Sequence, residues 1–199
     1  MGKLDSHNGK QTHLYNFLMW NSFHQTVVND YLKYVIRVCK LDKRAIPKVW
    51  AILQANTVKL IKAPQRVLHS VLLTHCNAWC TSSRFGAKWR SCRVCELPFT
   101  DDSLAHLACC KKLKVLSFQY LALCSIYDKE AFFLLHDEFD SVINRRAIHL
   151  FAAKRAYDIS RCKNKFDDFA IHYRSSLLNL FSNGACSKYL SRTLLFGER

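Results

Sequence analysis

Four side chains suited to holding a metal ion lie close together in the middle of the sequence. Cys92 and Cys95 form a Cys-x2-Cys pair, and His106 and Cys110 follow as a His-x3-Cys pair. Zinc in structural sites takes four Cys or His ligands arranged as a tetrahedron. The first spacing suits a tight knuckle, and the second places both side chains on the same side of a helix. The sequence therefore predicts a closed Zn²⁺ site with a structural role.

Two alternative ligand sets remain open at this point. Cys76 and Cys80, in the segment HCNAWC, form a four-thiolate set with the Cys-x2-Cys pair. Cys109 is one position away from Cys110 and replaces it as a ligand if the helix begins later. We favour the His-x3-Cys pair because the intervening segment LPFTDDSL is typical of a loop followed by a helix start.

The elements that position these residues are predicted to be helices. Gly and Pro number only 5 and 3, which disfavours a turn-rich β fold. Apolar residues recur at helical spacing, and Asp101, Asp102 and Ser103 supply carboxylates and a hydroxyl cap for a helix N-terminus. Asp128 is a second predicted cap. The pattern predicts one long or two short helices within residues 11–40, and helices over residues 48–54, 64–80, 103–123, 129–136, 140–163 and 166–181.

The predicted fold class is therefore mostly α, an irregular helical bundle stapled by one zinc knuckle. At 199 residues the chain is long enough to bury a hydrophobic core. We divide it into an N-terminal helical segment, residues 1–45, and a basic helical domain, residues 46–199, that contains the knuckle at residues 92–110.

Charge along the chain is strongly asymmetric. The sequence has 30 Lys and Arg against 15 Asp and Glu, a formal net charge of +15. Residues 43–95 contain no acid, and they contain ten basic residues: Lys43, Arg44, Lys48, Lys59, Lys62, Arg66, Arg84, Lys88, Arg90 and Arg93. Such a run is often only a solvated face, but without balancing acids it favours an anionic partner. We predict that this span forms one continuous positive surface that includes the knuckle.

The residues beside the knuckle are the candidates for contacting RNA or DNA. We expect the cations to contact phosphates and the aromatic rings to stack on unpaired bases. For Trp89, packing in the hydrophobic core is an equally good interpretation. The predicted nucleic-acid-binding residues are Arg84, Phe85, Lys88, Trp89, Arg90 and Arg93.

Several other classes of protein are disfavoured. The sequence has no phosphate-cradling glycine loop, no G-x-S-x-G and no H-E-x-x-H, so we expect no enzyme activity and no small-molecule substrate. The Asp pairs at 101–102 and 167–168 are interpreted as caps. No apolar run approaches about 18 residues, so a membrane-spanning helix is not expected. The chain has ten cysteines; four have the spacing of a possible metal site, and the cysteines lie within apolar helical patterns. This usage is typical of proteins in an intracellular reducing compartment, nuclear or cytoplasmic.

Three segments together resemble the C-terminal region of non-LTR retrotransposon reverse transcriptases. They are residues 77–85 (NAWCTSSRF), 92–95 (CRVC) and 102–110 (DSLAHLACC). Residues 131–135, 145–147 and 154–157 are also similar to the helices that follow the knuckle in that family. The similarity covers about residues 49–160.

This resemblance implies a knuckle that binds template RNA or target DNA, with Cys92, Cys95, His106 and Cys110 as the metal ligands. Ala105 departs from the family, which usually has Glu there, and Cys109 adds a thiol. The polymerase and endonuclease parts of such proteins are not found in this chain. We therefore expect a fragment, a decayed copy or a gene derived from that tail.

Two other classes of function compete with nucleic-acid binding. A helical protein-interaction module would present the same basic face to an acidic protein. A peripheral membrane protein would use that face with an N-terminal myristoyl group, since residues 1–6 fit the loose pattern M-G-x-x-x-[ST].

Overall fold

The computed structural model describes residues 25–60, 63–85, 91–97, 100–123 and 128–182. These residues form α-helices joined by loops and contain no β-strand, which confirms the prediction of a mostly α fold. The helices are α1 (Gln25–Cys39), α2 (Ile46–Lys59), α3 (Gln65–His75), α4 (Leu104–Leu107), α5 (Lys111–Leu121), α6 (Lys129–Phe132), α7 (Asp140–Lys163) and α8 (Phe169–Ser182). Within the described ranges, no helix is both long enough and apolar enough to cross a membrane.

Helix α7 lies at the centre of the bundle. It packs against α2, α3, α5, α6 and α8, and every residue from 146 to 154 is buried. A helix that is buried on all sides needs small or apolar side chains around its whole circumference. Ala147, Ala152 and Ala153 let neighbouring helices approach closely, and one continuous core extends from Leu32 to Leu180.

Two cations on α7 are buried because each has an acidic partner. Arg146 donates two hydrogen bonds to the carboxylate of Glu138, one of them 2.7 Å long. Lys154 forms an ion pair with Asp158, one turn further along the helix. Pairing offsets the desolvation of a buried charge, so these cations face the protein interior and not a ligand.

The loop after α6 is held by side chains from α2 and α3. Asn56 Nδ2 donates to the carbonyl oxygens of Leu134 and His136 at 2.9 and 2.8 Å. His75 Nε2 lies 2.8 Å from the carbonyl oxygen of Phe133. Burial lowers the pKa of His75 to about 4, so the ring is neutral at pH 7 and donates this bond from Nε2–H.

Most predicted helices are present, with different ends. The prediction for residues 140–163 coincides with α7, and Asp128 caps α6 by accepting from the Ala131 amide at 2.7 Å. The helix predicted over 64–80 ends at His75, because the chain turns at Asn77, whose φ is 51°. Helix α2 is longer than predicted, whereas α6 and α8 are shorter. Residues 11–24 of the first prediction, and the N-terminal residues 1–6, lie outside the described residues.

The helix predicted over residues 103–123 was wrong as a single element. The chain forms α4, leaves helical geometry at Cys110, whose ψ is 122°, and starts again as α5. His106 is on α4 and Cys110 is the N-cap of α5, so the two do not share one helix face. This break changes how the second pair of candidate ligands is positioned.

Candidate metal centre

The first pair of candidate ligands is carried by a tight turn. The Glu96 amide donates to the Cys92 carbonyl oxygen at 2.7 Å, and the Cys92 amide donates to Thr100 Oγ1 at 3.1 Å. Glu96 has a φ of 56°, a left-handed conformation that glycine adopts at lower cost. The main-chain amides of Val94 and Cys95 hydrogen-bond to the Cys92 sulfur. A turn that points amides at a sulfur stabilises its thiolate form, which is the form that binds metal.

The second pair is positioned by two successive helix starts. Ser103 caps α4, and its hydroxyl oxygen accepts a hydrogen bond from the His106 amide at 3.2 Å. This confirms the hydroxyl cap predicted from the sequence. Cys110 then occupies the N-cap of α5, where the amides of Lys112 and Leu113 hydrogen-bond to its sulfur. The free amides and the positive dipole end of α5 both favour a thiolate at this position.

The four candidate side chains converge on one point. The ligand atoms of Cys92, Cys95, His106 and Cys110 all lie within 4.8 Å of one another. Cys95 Sγ and His106 Nε2 are 3.3 Å apart. Tetrahedral zinc, with bonds of about 2.3 Å to sulfur and 2.0 Å to nitrogen, requires ligand separations of about 3.5–3.8 Å. The group can therefore hold a metal ion after shifts of about 1 Å.

Protonation of the two buried thiols is linked. Cys92 and Cys110 are fully buried, and a hydrogen bond between their thiols raises the pKa of Cys92 and lowers the pKa of Cys110. The α5 amides act in the same direction on Cys110. Metal ions bind thiolates, so a bound cation would displace any proton that the two sulfurs carry.

Both alternative ligand sets are disfavoured by the geometry. Cys109 is exposed, and its sulfur lies 3.6 Å from the carbonyl oxygen of Ala105, so Cys110 is the fourth member of the group. Cys76 is exposed and Cys80 is half-buried, and neither belongs to the group. The four-thiolate set considered from the sequence does not form among the described residues.

Comparisons with known proteins give no match, so the candidate metal centre is interpreted from its own ligand atoms. No family model, curated protein or solved structure matches the chain. The resemblance to retrotransposon reverse transcriptases therefore stays a prediction. The donor set is three thiols and one imidazole, and soft thiolate ligands with nitrogen favour zinc among the common divalent ions.

A buried carboxylate connects the metal centre to the rest of the fold. Asp102, only 1% exposed, accepts hydrogen bonds from the amide and hydroxyl of Ser82 at 2.9 and 2.7 Å. It also accepts from the Tyr157 hydroxyl of α7, 2.8 and 2.7 Å from its two oxygens. We refer to Ser82, Asp102 and Tyr157 as the Asp102 bracket. The sequence-based interpretation of Asp102 as a helix cap was wrong, because its side chain instead joins three separate segments.

The bracket fixes the stretch that leads directly to a ligand. Asp102 precedes the Ser103 cap, and Ser103 in turn orients the first turn of α4, which carries His106. Burial raises the pKa of the Tyr157 phenol, and the bond to Asp102 raises it further, so Tyr157 stays a donor. No pattern in the sequence pairs Asp102 with Tyr157. The one local signal was the acidic residue directly before the Ser103 cap, whose carboxylate needs hydrogen-bond donors if it is buried.

The predicted nucleic-acid-binding residues have different environments. Arg84 and Phe85 are exposed at the end of a 3-10 turn, Ser83–Phe85, which follows the bracket residue Ser82. Arg93 is half-buried, with its guanidinium 5.3 Å from the ring centroid of Phe166. The remaining three predicted residues, Lys88, Trp89 and Arg90, lie outside the described residues.

The acid-free span does not offer all of its cations to a ligand. Lys59 forms an ion pair with Asp137 at 3.1 Å, and Arg66 lies over the Phe151 ring at 5.6 Å. Lys43, Arg44 and Lys48 are exposed. The single continuous positive surface stays a prediction, and the charge of Lys59 is already paired with an acid.

Proposed function

We propose that this chain is a non-catalytic protein that binds RNA or DNA and that its metal centre holds one structural Zn²⁺ ion. The observation that carries the proposal is the convergence of Cys92, Cys95, His106 and Cys110 within 4.8 Å. Three thiols and an imidazole fill all four positions of tetrahedral zinc, which leaves none open for a substrate. A closed site stabilises the fold instead of performing chemistry.

Charge supports nucleic acid as the partner. The chain has a net charge of +15, and Arg84 is exposed on the turn whose Ser82 is hydrogen-bonded to Asp102. Phosphate backbones bind such surfaces through neutralisation and counterion release. The resemblance of residues 77–85, 92–95 and 102–110 to reverse transcriptase tails supports the same partner, and an intracellular reducing compartment agrees with eight described free cysteines.

The zinc part of the proposal is tested by metal content. Cys92→Ser and His106→Ala are expected to lose the metal from a parent that holds about one zinc per chain. Cys109→Ser is the matched control, because Cys109 is exposed and outside the group, and it should keep the metal. Cys92 belongs to both ligand sets, so the two sets are distinguished by His106 and Cys76. Metal retained by His106→Ala but lost from Cys76→Ser would show that the four-thiolate set is the true site.

The nucleic-acid part is tested by salt dependence of binding. Replacing Arg84, Lys88, Arg90 and Arg93 together by Gln should weaken binding to single strands of all sequences and flatten the slope of log K against log salt by about 0.7 per lost contact. Zinc content should not change, because none of the four is a ligand. Absence of binding by the parent, together with nuclease-resistant capture of an acidic protein, would favour the protein-interaction module.

A further inference from the structure

We propose that Phe85, together with the guanidinium groups of Arg84 and Arg161, forms a stacking site for one unpaired nucleotide. This inference rests on the proposed function and identifies where on the surface a base would bind. Arg161 belongs to the last turn of α7, so the site joins the region of the metal centre to the far end of the central helix. Its third residue comes from a part of the chain distant in sequence from the knuckle.

The ring of Phe85 is presented to solvent by a well-anchored turn. Its side chain is 60% exposed, although the protein buries many other large apolar residues. The Phe85 amide donates to the Ser82 carbonyl oxygen at 3.1 Å, and the Ser83 amide donates to the Asp102 carbonyl oxygen at 3.1 Å. The Asp102 carboxylate holds Ser82 as well. An exposed ring on an anchored turn loses little conformational entropy when a flat ligand binds.

Two cations from separate segments are held at this ring. The guanidinium carbon of Arg161 is 5.3 Å from the ring centroid, and that of Arg84 is 5.8 Å away. Both distances fall within the range of cation–π contacts. Neither guanidinium is within ion-pair distance of a carboxylate among the residues that the structure describes. Asp158, one turn before Arg161 on α7, is paired with Lys154.

Additional cations lie near Arg161 in the sequence. Lys163 and Lys165 follow Arg161 and are exposed. Arg93 lies over Phe166, whose ring contacts that of Tyr157 at 5.5 Å, one turn before Arg161 on α7. No acidic residue lies between Asp158 and Asp167 in the sequence, so no acid interrupts these cations. Cations are therefore concentrated around the end of α7, where the helix dipole also favours positive charge.

The combination of groups fits a nucleotide better than other anions. A base has a flat π face that stacks on an aromatic ring or on a guanidinium plane, and its phosphate accepts hydrogen bonds from the arginine fork. An acidic peptide would use the two arginines, but its carboxylates carry no flat π face that could stack on the phenyl ring. Base stacking does not require a particular base, so we expect the site to bind single strands without strong sequence preference.

The stacking step is tested with two strands that carry the same phosphates. The full chain, loaded with zinc, is titrated against a labelled oligothymidylate and against an abasic strand of equal length, with fluorescence anisotropy as the readout. The parent should bind the strand with bases about 5- to 100-fold more tightly. Phe85→Ala should remove most of this preference, and Phe85→Trp should keep it.

Phe118 and Arg155 provide matched controls. Phe118, on α5, is exposed to the same 60%, so Phe118→Ala removes an equal ring elsewhere. Arg155 is exposed on α7, six residues before Arg161 and therefore about 120° around the helix from it. Arg161→Gln should weaken binding to both strands several-fold and flatten the salt slope by about 0.7, whereas Arg155→Gln should have a smaller effect.

The possible outcomes separate this inference from the function on which it rests. If the parent binds both strands in a salt-dependent way, but Phe85→Ala behaves like Phe118→Ala, the stacking site is refuted and nucleic-acid binding stands. If the parent binds neither strand, both proposals fail. Unchanged zinc content and circular dichroism in Phe85→Ala show that any loss of preference comes from the ring and not from misfolding.

Discussion

Removing the Tyr157 hydroxyl is the most direct test of the Asp102 bracket. Tyr157→Phe keeps the buried ring and its contacts with Trp79 and Phe166, whose centroids are 6.0 and 5.5 Å away. It deletes only the donor that lies 2.7 and 2.8 Å from the two Asp102 oxygens. The carboxylate keeps its two bonds from Ser82 but loses the one that connects it to α7.

The expected magnitude follows from the charge of the acceptor. A hydrogen bond to an ionised group contributes about 1.5–3 kcal/mol, whereas a bond between neutral groups contributes about 0.5–1.5 kcal/mol. Since Asp102 is 1% exposed, water cannot easily replace the lost donor. We therefore expect Tyr157→Phe to lower the free energy of unfolding by about 1.5–3 kcal/mol. For a chain of this size, that corresponds to a lowering of the midpoint temperature by about 3–12 °C.

Tyr173→Phe is the matched control for this measurement. Tyr173 is also fully buried, and its hydroxyl lies 2.8 Å from Nδ1 of His149, a neutral partner that is not in the candidate ligand group. Urea unfolding should show a smaller loss for Tyr173→Phe. Competition with a chelator should show weaker metal binding for Tyr157→Phe alone, because the bracket orients the segment that carries His106. Equal losses in stability and equal metal affinities in the two variants would refute the role assigned to the bracket.

Two further predictions concern buried histidines and the knuckle turn. Burial lowers the pKa of His75 to about 4 and that of His149 to about 3, so only the unfolded chain takes up these protons near pH 6.5. The free energy of unfolding should therefore fall from about pH 6.5 down to about pH 4, by up to about 2.7 kcal/mol per pH unit, and His149→Gln should halve this slope in urea titrations. Glu96 has a φ of 56°, so Glu96→Gly should keep the metal and match or exceed the parent in stability. Glu96→Val should lower the free energy of unfolding by about 1–2 kcal/mol. Calorimetry that finds the Val variant more stable than the Gly variant would contradict this prediction.

The sequence was informative where short-range chemistry determines the outcome. The four candidate ligands were chosen from type and spacing alone, and the structure brings them together because a knuckle and a nearby cap impose local geometry. The Ser103 and Asp128 caps were predicted correctly because a hydroxyl or carboxylate before a helical run satisfies free amides in most contexts. The bounds of α7 were also predicted, from its long uninterrupted pattern.

Other features depend on partners that are remote in sequence. The break at Cys110 was missed because neither Gly nor Pro marks it, and only the sulfur-directed amides of α5 explain it. No local pattern shows that Arg146 and Lys154 are both buried and paired with acids. The meeting of Arg161 with Phe85 follows from packing of α7 and could not be derived from any local pattern.

The position of the metal ligands along the chain has a consequence for the order of folding. All four ligands lie between Cys92 and Cys110, whereas the contact from Tyr157 to Asp102 spans 55 residues and that from Asn56 to Leu134 spans 78. Closing a short loop costs less entropy than closing a long one, and contacts that are local in sequence form sooner. During synthesis from the N-terminus, the ligands leave the ribosome before α7 does. If the four side chains hold a metal ion, we therefore expect the nascent chain to bind it first, so that the knuckle is the earliest fixed point against which the central helix later docks.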